Sequence, residues 1–321
     1  MTLKERLVEL LGPEIVRDDA ETLAIHARDK WFASRIPDVV VFAETTEQVS
    51  KLMRFASENR IPVTARGGGV GYVGGAVPLQ GGIVLSLARM NKIKEINAAD
   101  GVAVVEPGVI TGELQAAVRK QGLFYPPDPA SLKECTIGGN IATNAGGPRC
   151  LKYGVTRSYI LGLEVVLANG DILRTGGRTH KNKTGFDLVG LMVGSEGMLG
   201  IVTEATVRLI PLPPARASIS ASFATFREAA NAVQKVLEAG FLPAAMEIAD
   251  AFTLKSAREF LATSIVPEGE GHLLIDLDGQ VESVKSETAS LVRLIRNLGA
   301  LYVAEAFGEE ECEALWALRR L

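Results

Sequence analysis

Apolar positions in residues 37–66 change period twice. "PDVVVFAE" at 37–44 is a short continuous apolar run, the pattern of a buried strand. Thr45-x-x-Gln48 has the form of a capping box, and Val49, Leu52, Met53 and Ala56 follow at helical spacing. "IPVTAR" at 61–66 returns to a strand pattern, so 37–66 reads as a β-α-β unit. Ahead of it, "MTLKERLVELLGPE" reads as an amphipathic helix with acids and bases mixed. Beyond it, "GIVLSLARM" and "IKEINAADGVAVVEPG" read as strands, the second with a hairpin at Asp100-Gly101. A short helix is expected over 111–121, with Thr111 as N-cap and Gly122 just past its end. Residues 124–154 show no period and are rich in Gly, Pro and Asn. So long an irregular stretch points to a functional or disordered segment. "ILGLEVVLANGDILRTGG" at 160–177 reads as a hairpin turning at Asn169-Gly170, and 200–210 as a strand.

"PLPPA" at 211–215 punctuates the chain. The expected division is a helical lead-in at 1–36, a first domain at 37–213 and a second at 214–321. The second alternates strands and helices. Thr225-x-x-Glu228 caps a helix to about 239, strands fall near 243–249, 272–278 and 300–306, and helices near 283–298 and from 309. The last helix pattern, "EEECEALWALRRL", runs into the end of the sequence without a stop signal, so the second domain reads as incomplete.

Composition narrows the class. The 321 residues are 47% hydrophobic and 22% charged, an ordinary globular balance. Lys plus Arg number 34 against 38 Asp plus Glu, a net charge of −4, which gives no nucleic-acid footprint. No run reaches the roughly 18 apolar residues of a membrane helix, and the N-terminus lacks the apolar core of a signal peptide. Three cysteines at unrelated spacing argue for a reducing compartment, hence a cytoplasmic protein.

Glycine clusters at 67–82, 138–147 and 170–200. The first cluster, "RGGGVGYVGGAVP", contains Gly69-x-Gly71-x-x-Gly74, the spacing of a dinucleotide fingerprint. A strand precedes it, but no helix pattern follows, and the residue 20 positions on from Gly69 is Arg89, not an acid. No Gly-Lys-Ser/Thr follows, so a P-loop is excluded as well. Two readings remain: a plain structural loop, or a nest of backbone N–H groups that binds an anion without a helix dipole.

Further motifs make the pattern specific. They are Arg66-Gly67-Gly68-Gly69 with Gly74-Gly75-Ala76, Pro126-Pro127-Asp128-Pro129, Ile137-Gly138-Gly139-Asn140 with Asn144-Ala145-Gly146-Gly147, Lys152-Tyr153-Gly154, and Gly194-Ser195-Glu196-Gly197 with Leu199-Gly200-Ile201-Val202-Thr203-Glu204. In order and spacing this set resembles the FAD-binding domain of the vanillyl-alcohol oxidase/PCMH flavoprotein superfamily. Within it, the resemblance is to the glycolate oxidase, D-lactate dehydrogenase and D-2-hydroxyglutarate dehydrogenase branch, and it covers most of 37–321. It implies an α+β fold: a two-subdomain PCMH-type FAD-binding domain, then a partial α/β cap of ferredoxin-like type.

The resemblance also implies the cofactor contacts. Gly67, Gly68, Gly69, Val70 and Gly71 would cradle the pyrophosphate, with Gly74, Gly75 and Ala76 completing the turn. Gly138, Gly139, Asn140, Asn144, Gly146 and Gly147 would lie along the ribityl chain and flavin. Ile201 and Val202 would present backbone groups to adenine. Arg66, Pro127, Asp128, Ile137, Tyr153, Gly154, Glu196, Gly197 and Gly200 complete the expected contacts. Some relatives attach the flavin covalently through a His in the first glycine loop. This loop carries Val70 and Tyr72 there and no His, so non-covalent FAD is expected.

The implied reaction oxidises a 2-hydroxy acid of the glycolate or D-lactate class. A base takes the hydroxyl proton while a hydride leaves C2 for flavin N5. Arg suits the substrate carboxylate because its fork matches two oxygens. Arg319 of "ALWALRR" resembles that arginine, although a surface helix arginine is the plainer alternative. The family's divalent metal site and catalytic His lie further along the relatives. This chain has only His26, His180 and His272, none at ligand spacing, and all three read as non-catalytic. Lys181 and Asn182 match a family pair near the flavin, or form an exposed basic turn. An incomplete copy of a longer enzyme is therefore expected rather than a naturally short protein.

Three functions compete. The first is a 2-hydroxy-acid dehydrogenase that passes electrons to a quinone, cytochrome or flavoprotein. The second is a non-catalytic FAD-binding subunit of a larger oxidase, at the membrane only through its partners. The third is an NADPH-dependent reductase of cell-wall precursor synthesis on the same fold, disfavoured by "ALWALRR".

Overall fold

The computed structural model describes residues 1–260 and 268–320. The chain divides into two compact units, Met1–Gly147 with Val155–Pro211, and Pro148–Gly154 with Leu212–Leu321. The lead-in at 1–36 is thus part of the first unit, and a short piece of the long irregular stretch belongs to the second.

In the first unit the expected β-α-β forms as read. Strands β1 (Val16–Arg17), β2 (Val39–Phe42), β3 (Val63–Arg66) and β4 (Ile83–Ser86) make one sheet in the order β1-β2-β4-β3, with β4 parallel to both neighbours. The helix Thr46–Asn59 starts at Thr45, whose hydroxyl accepts from Gln48 N while the Gln48 side chain accepts from Thr45 N. It buries Val49, Leu52 and Ala56 against Val39, Val41, Ile83 and Leu85. Burying such aliphatic side chains is worth about 1.5–3 kcal/mol each for the larger ones, and this core holds the sheet whose ends carry the first glycine loop.

A second, antiparallel sheet comprises β5 (Ile93–Asn97), β6 (Val102–Val105), β8 (Ile160–Val166), β9 (Ile172–Gly176) and β10 (Ile201–Arg208), in the order β5-β6-β10-β8-β9. Its hairpins turn at Asp100-Gly101 and Asn169-Gly170, where both glycines have positive φ. A small pair, β7 (Leu123–Phe124) with β11 (Ile210–Pro211), closes the unit.

Two local expectations are corrected. Thr111 is not an N-cap. It is the first residue of the helix Thr111–Arg119, and its buried hydroxyl accepts from Asn140 Nδ2 at 2.6 Å. The 124–154 stretch is not wholly irregular either. It holds a helix at Ile137–Thr143, capped by Thr136, whose hydroxyl accepts from Gly139 N at 3.2 Å. Glycine is a poor helix former, so propensity hides this helix. Gly138 is there because a Cβ would strike the Pro107 ring, and the helix backbone packs directly on that residue.

The second unit has four antiparallel strands, β12 (Ala215–Phe223), β13 (Ala245–Ala249), β14 (Gly271–Gly279) and β15 (Tyr302–Phe307), in the order β13-β14-β12-β15. With helices Phe226–Glu238 and Val281–Asn297 on one face, this is the ferredoxin-like arrangement. Ala217, Ile219, Ala221 and Phe223 alternate with Ser218, Ser220 and Ser222 along β12, so one face is apolar core and the other polar. The polar face holds Asp276, which accepts from Arg216 Nε at 2.8 Å, from Trp316 Nε1 at 2.9 Å and from the Ser218 hydroxyl. Lys152 and Tyr153, from the 148–154 piece, both donate to the Asp278 carboxylate.

Candidate functional site

The first glycine loop begins where the chain leaves β3. Leu87 N donates to Arg66 O, the last ladder bond before the loop. At the next three positions the backbone is pressed against its surroundings. A Cβ on Gly67 would run into the Thr136 hydroxyl, one on Gly68 into the Glu134 carbonyl, and one on Gly69 into the Arg66 guanidinium. Gly69 also has φ +65°. Among the described residues, no backbone N–H from 67 to 76 donates to a protein carbonyl. A run of free main-chain donors on a loop of this kind is an anion nest.

The facing wall is the helix Ile137–Thr143, and it shares a lining with the loop. The third segment docks on that helix: Gly194 N donates to Ile141 O and Glu196 N to Ala142 O, each at 2.9 Å. Glu196 itself has φ +53°, a left-handed conformation costly for a non-glycine residue. The chain then enters β10 through Gly200, Ile201 and Val202.

These three segments enclose one cavity inside the first unit. Arg66, Gly67, Gly68, Gly69, Val70, Gly71, Gly75 and Ala76 line it from the loop. Gly138, Gly139 and Asn140 line it from the helix, and Glu196, Gly197, Gly200, Ile201 and Val202 from the third segment. The other expected contacts, Gly74, Pro127, Asp128, Ile137, Asn144, Gly146, Gly147, Tyr153 and Gly154, are not among its lining residues. Asp128 instead packs against Gly147, whose Cβ would collide with it. Tyr153 and Gly154 belong to the second unit.

Sequence reasoning missed two lining residues of consequence. Thr136 caps the wall helix, and its Thr-x-x-Gly pattern carries no capping-box signal. Asp29 comes from the lead-in, held near the loop by Lys30 N donating to Gly71 O at 3.0 Å. Among the described residues the only cation on the lining is Arg66; the acids are Asp29 and Glu196. Arg66 Nη1 donates to Arg28 O at 2.7 Å. Burial lowers the Arg66 guanidinium from its ordinary value, and the charge of Asp29 acts to raise it.

The remaining candidates lie elsewhere. Arg319 sits in the second unit, where its Nε donates to Glu247 Oε2 at 2.7 Å. His26 bonds the Thr22 carbonyl through Nδ1, and His180 Nε2 bonds the Asp100 carbonyl at 3.0 Å on the surface. His272 is buried with Nε2 at 2.8 Å from Ser220 Oγ. Lys181 and Asn182 are exposed. Among the described residues, no three His, Cys, Asp or Glu side chains are grouped to hold a metal ion, and no helix is long and apolar enough to cross a membrane.

The cavity fits FAD in chemical terms. A diphosphate needs several N–H donors at close range, and the Cβ-free wall with unused N–H groups provides them. Comparison with known proteins agrees. A model described as an FAD binding domain matches residues 37–176, and one described as the C-terminal domain of FAD linked oxidases matches 212–321. The chain is 42% identical over 319 residues to the glycolate oxidase subunit GlcD of Bacillus subtilis, covering 99% of this chain and 68% of that relative. It is 36% identical over 321 residues to a D-lactate dehydrogenase of Anaerostipes hadrus, covering 97% of this chain and 66% of that relative. It thus spans about two thirds of the length of these relatives. The solved structure of p-cresol methylhydroxylase matches with a TM-score of 0.80 at 22% identity, covering 97% of this chain and 68% of that one, which establishes the fold. The nest, the two matched domains and these relatives make the chain a member of the FAD-linked oxidase family, with a PCMH-type FAD-binding domain and an FAD-linked oxidase C-terminal domain.

Proposed function

We propose that the chain carries out FAD-dependent oxidation of a 2-hydroxy acid, of the glycolate or D-lactate class, to the 2-oxo acid. The observation that carries the reading is the cavity wall of free backbone donors in a chain whose relatives are named glycolate oxidase subunit and D-lactate dehydrogenase. Bound FAD would supply the acceptor for a hydride, at N5. The N–H groups of residues 67–71 would hold the diphosphate, and Arg66 would offset part of its charge. Ile201 and Val202 would border the adenine, and the Ile137–Thr143 wall would flank the ribityl chain. Attachment would be non-covalent, since Val70 and Tyr72 offer no imidazole to the flavin. Arg319 would bind the substrate carboxylate, exchanging its present partner Glu247 for the substrate. The relatives' designation as a subunit supports partner chains, with electrons passing on to a quinone, cytochrome or flavoprotein.

The test is anaerobic mixing of the FAD-loaded protein with glycolate, D-lactate or NADPH, following the visible flavin band. Bleaching by either hydroxy acid supports the proposal. Bleaching by NADPH alone assigns a reductase, and a stable band with every donor supports an FAD-binding subunit without its own chemistry, or a truncated copy that lacks the family's metal and base. Acid precipitation tests attachment: the yellow colour is expected in the supernatant, and colour retained in the pellet refutes non-covalent binding.

A further inference from the structure

Asp29 stands ahead of the residues matched to the FAD-binding model, yet it forms part of the cavity. It is only 8% exposed. Its Oδ1 accepts from Trp31 N at 2.8 Å, closing a tight turn. Its Oδ2 is buried and has no hydrogen-bond partner among the described residues. A Cβ built on Gly71 would lie 3.8 Å from that oxygen, so Oδ2 faces the α-carbon of a glycine in the nest. The segment cannot swing away freely, because Lys30 N is tied to Gly71 O and Arg28 O to the Arg66 guanidinium.

A buried carboxylate oxygen without a donor is costly, and native proteins seldom keep one without use. Here the cost is compounded. The nest beside it suits an anion, and a second negative charge in the same cleft repels a diphosphate. Arg66 offsets that repulsion in part but does not supply the missing hydrogen bond. The carboxylate is explained if the ligand brings a donor to it. On FAD, the donors that flank the diphosphate are hydroxyls: those of the ribityl chain on one side and of the adenosine ribose on the other.

We propose that Asp29 Oδ2 is a cofactor-positioning acceptor, taking a hydrogen bond from a sugar-chain hydroxyl next to the FAD diphosphate. The proposal rests on FAD lying in the cavity lined by residues 67–71. It makes the lead-in at 1–36 part of the binding site, not a preface to it. The carboxylate reads a neutral neighbour of the phosphates, while the glycine loop reads the phosphates themselves.

The sign of one affinity change decides the matter. Calorimetric titration of apo protein with FAD compares wild type with Asp29→Asn and Asp29→Ser. Both variants keep an oxygen for Trp31 N, so the turn at 29–31 retains its bond; melting of the apo forms checks this, and either folded variant suffices. If Asp29 holds a hydroxyl, FAD affinity falls about tenfold or more, the range for a hydrogen bond to a charged group. If the carboxylate only repels the diphosphate, affinity is unchanged or rises, and the proposal is overturned. Titration with ADP locates the hydroxyl: a parallel loss assigns the ribose, and an unchanged ADP affinity assigns the ribityl chain. Gly71→Val separates this proposal from the cavity reading. Gly71 lines the cavity and a Cβ there meets only an ordinary contact, with Asp29 Oδ2 at 3.8 Å; melting of the apo variant checks that it is folded before its binding is read. Loss of FAD binding in Gly71→Val with none in the Asp29 variants sinks the Asp29 assignment alone. Unchanged FAD binding in all of them sinks the cavity reading too.

Discussion

His272 gives the second unit an acid-sensitive stability whose size follows from its surroundings. The side chain lies on the polar face of the sheet, 2% exposed, and burial lowers its pKa from 6.5 to about 4. The folded state thus holds the neutral ring, and the unfolded chain binds a proton more readily. Stability is complete above the unfolded value of 6.5 and drains away as pH falls towards about 4. At about pH 5 nearly all unfolded chains carry the proton and few folded ones do, which removes ~2 kcal/mol relative to neutral pH; the full loss at lower pH is ~3 kcal/mol. Trp316 is well placed to report it, being 4% exposed in the same unit, with Nε1 bonded to Asp276. Urea unfolding followed by tryptophan fluorescence would be run at about pH 7.5 and about pH 5 on wild type and His272→Gln. Carboxylates contribute equally to both proteins, so the difference isolates the imidazole. The wild type should lose about 2 kcal/mol more than the variant between the two conditions. Equal losses would refute the reasoning, because they would mean the ring is not held neutral by burial.

Three other outcomes are expected. Asp276→Ala strands the Arg216 guanidinium, 11% exposed, without its buried partner, and should cost about 3–5 kcal/mol in the Trp316-reported transition; a loss below about 1 kcal/mol would show that Glu309 and Glu313 suffice for Arg216. Arg319→Ala should raise the half-saturating hydroxy-acid concentration for flavin reduction by about tenfold or more while leaving FAD content intact; an unchanged value removes Arg319 from substrate binding. Gly138→Ala drives a methyl into Pro107 and should lower the melting stability by about 1–3 kcal/mol and weaken FAD binding together, since the helix it displaces is a cavity wall.

What can be read from the sequence is what neighbours in sequence decide. The capping boxes at Thr45 and Thr225 and the turns at Gly101 and Gly170 each need only a few adjacent residues, whereas β12, at Ala215–Phe223, is absent from the expected strands. The glycine loops are legible for the same reason: consecutive missing side chains mark a backbone approached from close by. What stays hidden depends on distant partners. The helix at Ile137–Thr143 contradicts its own propensity and exists by virtue of Thr136 and the bare contact with Pro107. Strand β1 has two residues, too few for any period. Thr111 has the side chain of a cap, but its hydroxyl is taken by Asn140 from far along the chain. Asp29 has the sequence surroundings of an ordinary surface acid, and only the fold brings it beside Gly71.

The loan of residues 148–154 to the second unit bears on the order in which the protein can assemble. Lys152 and Tyr153 emerge from the ribosome about 125 residues before Asp278, their partner. At a synthesis rate of about 5–20 residues per second, that is a wait of roughly 6–25 s. Meanwhile Val155–Pro211 must return to complete the first unit. The nascent chain therefore carries a short segment of the second unit, a basic and a phenolic group whose carboxylate partner is not yet made. A gene cut at residue 212 to yield the two units separately would leave that segment on the wrong piece, and Asp278 without both of its donors.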